Sequence, residues 1–70
     1  MELLKAQMAG TVFEVNVKEG DAVTKGQTVV ILESMKMEIP HDATMDGTVA
    51  KVFVMEGDFV EEEALLVELA

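Results

Sequence analysis

Cysteine is absent from this 70-residue chain, so neither a disulfide nor a thiolate metal site can hold it together. Tryptophan and tyrosine are also absent, and the only aromatics are Phe13, Phe53 and Phe59. That is too few for a platform on which bases could stack. Arginine is missing too: fourteen carboxylates face five lysines, for a formal charge of -9. Such a surface is soluble and repels phosphate backbones, which excludes nucleic acid as a partner. No apolar run approaches the roughly 20 residues of a membrane helix. Met1-Glu2-Leu3-Leu4-Lys5 has neither the basic start nor the apolar stretch of a signal peptide, so the expectation is a cytoplasmic protein without a membrane partner. No window of eleven residues sustains a 3.6-residue apolar period, and Gly10, Gly20, Gly26, Pro40, Gly47 and Gly57 cut the chain into strand-sized pieces. Helix is not expected anywhere.

Catalytic constellations are equally scarce. There is no glycine-rich nucleotide loop, no Ser-His-Asp set and no HExxH motif. His41, the sole histidine, stands beside Asp42 and is read as a loop residue. Glu61-Glu62-Glu63 carries three charges, but consecutive carboxylates on a bend point in different directions and read as a solvated run, not a ligand shell.

What the chain does contain is an apolar half rich in Val, Leu, Ile and Met, and an internal repeat. One domain, residues 1–70, lies near the lower size limit for an unaided core, burying only about 60% of its unfolded surface. Gly10 to Val23 aligns without a gap on Gly47 to Val60, and nine of the fourteen positions are identical at a fixed offset of 37. Each copy reads as a strand, a Glu-Gly-Asp turn, a very short strand (Ala22-Val23 or Phe59-Val60), an exposed bend (Thr24-Lys25-Gly26 or Glu61-Glu62-Glu63) and a further apolar strand (Gln27 to Leu32 or Ala64 to Leu69). Two such units, residues 10–32 and 47–69, imply small antiparallel sheets packed face to face about a pseudo-twofold axis. Strand alternation places Phe13, Val15 and Val17 on one face with their mates Ala50, Val52 and Val54, and leaves Val12, Glu14, Asn16 and Lys18 on a mostly solvated one. The expected core is Phe13, Val15, Val17, Val30, Val52, Val54 and Leu66. The unbroken apolar run Thr28 to Leu32 reads as a strand covered on both faces.

Between that run and Ile39-Pro40 lies Glu33-Ser34-Met35-Lys36-Met37-Glu38, the tip of a hairpin. The turn residues are unusual. A two-residue reversal normally uses Asn-Gly, Asp-Gly or Gly-Gly, which tolerate positive φ, yet here the chain reverses on Met and Lys. One amine therefore stands at an exposed apex between two flexible, polarizable side chains. By the symmetry of the repeat, Leu69-Ala70 occupies in the second unit the place of Leu32-Glu33 in the first, so Lys36 and the termini are expected at opposite ends.

Glu33-Ser34-Met35-Lys36-Met37 resembles the Glu-Ala-Met-Lys-Met signature of biotinyl domains, and the resemblance to the biotin carboxyl carrier and biotin/lipoyl attachment family covers essentially the whole chain. Lys5 to Gly10 is similar to the family's Ala-Pro-Met-Pro-Gly opening, and Glu19-Gly20-Asp21, Lys25-Gly26-Gln27, Asp46-Gly47-Thr48 and Glu56-Gly57-Asp58 are similar to its turns. The resemblance implies an all-β flattened barrel, or sandwich, of two four-stranded antiparallel sheets. It implies that Lys36 bears covalent biotin added by a biotin protein ligase, with Glu33, Ser34, Met35 and Met37 serving recognition. It also implies a non-catalytic carrier that takes a carboxyl group from a biotin carboxylase site to a carboxyltransferase site. Ser34 replaces the commonest Ala, and Ala9 and Thr44 stand where prolines are frequent. No thumb is inserted between Val23 and Glu33, unlike some bacterial acetyl-CoA carboxylase carriers.

Two alternatives share the fold. A lipoyl carrier of acyl or aminomethyl groups would show Asp-Lys-Ala, which Met35-Lys36-Met37 does not match. An unmodified interaction module would use Lys36 only as a surface residue.

Overall fold

The computed structural model describes residues 1–70 and contains eight strands and no helix. They are β1 (Glu2–Lys5), β2 (Gly10–Val15), β3 (Ala22–Val23), β4 (Thr28–Ser34), β5 (Met37–Asp42), β6 (Gly47–Val52), β7 (Phe59–Val60) and β8 (Leu65–Leu69). Two four-stranded antiparallel sheets form, in the orders β1-β8-β6-β3 and β5-β4-β2-β7. Each sheet draws strands from both copies of the repeat: β3 leaves its own copy to pair with β6, and β7 pairs with β2. The short strands thus act as reciprocal clasps.

The offset of 37 recurs in the backbone hydrogen bonds. Gly57 N–H donates to Val12 O at 2.9 Å and Gly20 N–H to Val49 O at 2.8 Å, while Val12 and Val49 donate back to Asp58 O and Asp21 O. Asp21 and Asp58 cap their own turns, their Oδ2 atoms accepting from Lys18 N–H and Met55 N–H at 3.0 and 2.9 Å. Gly20 and Gly57 adopt φ of 94° and 98°, the left-handed geometry that lets each Glu-Gly-Asp turn close. The correspondence also reaches segments with no visible sequence likeness. Ala6 N–H donates to Ala64 O as Ala43 N–H donates to Gln27 O, both at 2.8 Å, so β1 is the counterpart of β5. Only the hairpin tip at residues 34–37 has no mate, because its counterpart is the gap between the chain ends.

The core departs from simple alternation because β2, β4, β6 and β8 each carry a bulge. On β2, Val12 faces Leu32 and Glu14 faces Ile31, so Phe13 is the extra residue. Ala50 is its counterpart on β6, between Val49 opposite Leu69 and Lys51 opposite Glu68. An inserted residue shifts the inward set by one position. Val12 and Val49, read as facing solvent or left out of the core, are therefore buried at 1% and 2% exposure, whereas Phe13 is 44% exposed and Ala50 is also exposed. Val17, Val30 and Leu66 are buried as expected, and Val15, Val52 and Val54 are half-buried against the core. A second pair of bulges, at Val29 and Leu66, turns two successive residues inward on β4 and β8. The Thr28 to Leu32 run is apolar for that reason: Val29, Val30 and Leu32 are buried, while Ile31 on the other face is only half-covered.

Candidate functional site

The hairpin joining β4 to β5 closes on two residues. Ser34 and Met37 form its last pair, and Met35 and Lys36 make the reversal with φ of 52° and 64°. Positive φ at both central positions is the type I′ geometry, whose twist matches that of the strands. For non-glycine residues it costs on the order of 1–3 kcal/mol each. Register supplies the compensation. Below the tip, Glu33 faces Glu38 and Leu32 faces Ile39, and Leu32 is wholly buried, so a slip by one residue would expel it from the core. Pro40 sits on β5 at the edge of the sheet, where its missing N–H leaves no gap in a central ladder. Gly10 passes beneath the hairpin's base; a Cβ there would lie 2.8 Å from Glu33 O.

At the apex Met35 is 91% exposed and Met37 65% exposed, with Lys36 and Glu33 exposed and Ser34 half-buried. None of the side-chain hydrogen bonds of the molecule engages residues 33–37. The two surface depressions, of about 180 and 360 Å³, are lined by other residues, the first around Glu2, Gln7 and His41 and the second around Val15 and Lys18. Lys36 Nζ is thus an unengaged amine on an exposed turn, outside either surface depression of its own domain.

The structure corrects the reading of His41. It is no loop residue: it lies on β5, 3% exposed, in the position equivalent to Leu4 on β1. Its Nε2 accepts from Gln7 N–H at 3.0 Å, so Nδ1 carries the proton and faces Ile39 O at 3.2 Å. Nε2 thereby joins β5 to the segment after β1, and Nδ1 finds its partner within β5 itself. Sequence reasoning missed this because residues 2–5 and 39–42 share no identities; only the extended offset of 37 aligns them. Glu61, Glu62 and Glu63 are exposed, and no group of three or more potential ligand side chains converges on a metal position.

The geometry can present one primary amine to another protein's active site. A family model described as "Biotin-requiring enzyme" matches residues 2–69. The chain belongs to the biotin/lipoyl attachment family. It is 56% identical over 64 residues to a biotin/lipoyl attachment protein of Bacillus subtilis, covering 91% of this chain and 88% of that one. It is 46% identical over 65 residues to the biotinylated protein TB7.3 homolog of Mycobacterium leprae, covering 93% and 92%. Among solved structures, Kluyveromyces lactis urea carboxylase contains a region that matches with a TM-score of 0.92 at 35% identity, covering 99% of this domain and 6% of that chain.

Proposed function

We propose that Lys36 is the covalent attachment site for biotin and that the domain is a carboxyl carrier without catalytic activity of its own. The observation that carries this reading is the Met35-Lys36 reversal: two strained, non-glycine residues hold an unengaged amine at an exposed hairpin tip, beside Met35 at 91% exposure. Glycine would make the same turn at lower cost, so retaining Met and Lys there points to chemistry at the tip. The name of the M. leprae relative and the carboxylase context of the structural match support biotin as the group. Joined by an amide to Lys36 Nζ, biotin supplies a ureido nitrogen able to carry a carboxyl group between two active sites.

The chain's own residues provide position. Acylation removes the lysine charge and leaves its four-carbon stem as part of a long arm. The β4–β5 register keeps that arm on a fixed stalk, and Glu33, Ser34, Met35 and Met37 surround it with a patterned surface for a biotin protein ligase, a biotin carboxylase and a carboxyltransferase to read. Tethering raises the local concentration of the carried group at each site, which replaces repeated diffusional capture. We place this activity in the cytoplasm.

The test is modification by a biotin protein ligase with ATP and biotin, followed by streptavidin blotting, for the wild type and a Lys36→Arg variant. Arginine keeps the charge and the fold but cannot form the amide. The wild type is expected to be labelled and the variant blank; equal labelling of both would refute the assignment.

A further inference from the structure

The internal symmetry supplies a control for the surface, because each exposed side chain outside the hairpin tip has a counterpart at the same backbone position in the other half. Phe13, Met55 and Phe59 correspond to Ala50, Lys18 and Ala22. All six are exposed, Met55 and Phe59 at 69% and 67%. The fold accepts small or charged residues in these places, so burial does not account for two phenylalanines and a methionine. All three lie along β2. Phe59 faces Thr11 across the β2–β7 pair, which puts both on the outer face, and Phe13 follows two residues along on that side. The turn bearing Met55 is laid against β2 by the Gly57 and Asp58 bonds to Val12 and by Glu56 Oε2, which accepts from Val15 N–H at 3.2 Å.

This patch is continuous with the Lys36 hairpin. Phe59, Thr11, Glu33 and Glu38 form one row across β7, β2, β4 and β5. At the usual strand spacing, Phe59 is about 15 Å from the hairpin strand β5. Carboxylates border it: Glu14, Glu33 and Glu56. A second copy of the chain, with its own charge of -9, is repelled from such a surface. A ligase that acts on the amine itself must cover the tip. A protein that acts on the far end of an arm grafted to Lys36 needs the tip free to enter its cleft, and must grip the domain on its flank.

We propose that Phe13, Met55 and Phe59 form the docking surface for the biotin carboxylase that charges the arm, through an apolar depression on that enzyme rimmed by lysine and arginine. Phenylalanine and methionine are enriched at the buried core of protein interfaces, and an acidic frame complements a basic rim on the partner. The inference rests on the biotin reading of Lys36.

The experiment uses domain biotinylated at Lys36 as the substrate of the source organism's biotin carboxylase, with ATP and bicarbonate. It compares wild type, the triple variant Phe13→Ala/Met55→Gln/Phe59→Ala, the edge-strand single variant Phe59→Ser, and an opposite-face control, Ala22→Ser/Ala50→Ser. The triple variant is expected to raise KM for the carrier tenfold or more, with kcat and ligase labelling within about twofold of wild type. Phe59→Ser is expected to raise KM severalfold, the control to leave it unchanged, and added salt to raise the wild-type KM. An unchanged KM in both patch variants overturns the proposal, as does an effect confined to ligase labelling, or a wild-type dimer that the triple variant dissolves. Absence of any label on wild-type Lys36 would remove the biotin reading and this inference together, whereas normal labelling with unchanged KM removes this inference alone.

Discussion

Gly26 and Glu63 occupy the same place in the two halves of the molecule, one with φ of 90° and the other with φ of 74°. Their N–H groups donate to equivalent carbonyls, Ala43 O at 2.9 Å and Ala6 O at 2.8 Å. The bend therefore requires left-handed backbone, and the second half makes it with a residue that has a Cβ. Glu63→Gly should stabilise the domain by about 0.5–1 kcal/mol, by releasing that strain and removing one of three adjacent charges, against the greater chain entropy of glycine. A urea midpoint equal to or below that of wild type would show that the strain is already relieved.

The bulge on β2 makes an opposed prediction for adjacent residues. Val12→Ala, in the wholly buried layer, should cost about 2 kcal/mol, while Phe13→Ala, on the outer face, should stay within about 0.5 kcal/mol. Chemical denaturation of the two variants checks this directly. The reverse order would restore the unbulged register.

His41→Leu installs the residue found at the equivalent position of β1, yet it should destabilise by about 1–2 kcal/mol, because it leaves Gln7 N–H without its acceptor. An unfolding midpoint matching wild type would mean that the hydrogen bond contributes nothing net.

The hairpin turn should trade stability against recognition. Met35→Gly is expected to raise stability by about 0.5–1 kcal/mol by removing a side chain from a φ of 52°, and to slow ligase labelling of Lys36 at the same time. Labelling at the wild-type rate would show that Met35 serves neither recognition nor presentation.

The glycine-marked repeat and the Met35-Lys36 reversal were legible because each shows in local chemistry: Glu-Gly-Asp closes a turn wherever it occurs, and a lysine between two methionines is conspicuous at a hairpin tip. The core phase was not. Strand alternation carries no sign of where a residue is inserted, and Phe13 reads as core by hydrophobicity, although the bulge turns Val12 inward in its place. β1 and the burial of His41 escaped for a related reason. Both depend on pairings between segments distant in sequence, Glu2 with Leu69 and Gln7 with His41. The interleaving of the sheets through β3 and β7 is also a property of topology, and no local pattern within two residues could announce it.

One lysine of five is proposed as the attachment point, chosen by the geometry of its turn. Peptide mass mapping of the folded wild-type domain after incubation with biotin protein ligase, ATP and biotin is the deciding measurement. Biotin should be found on Lys36 and on none of Lys5, Lys18, Lys25 and Lys51; label on any of those four, or none on the folded domain, would contradict it.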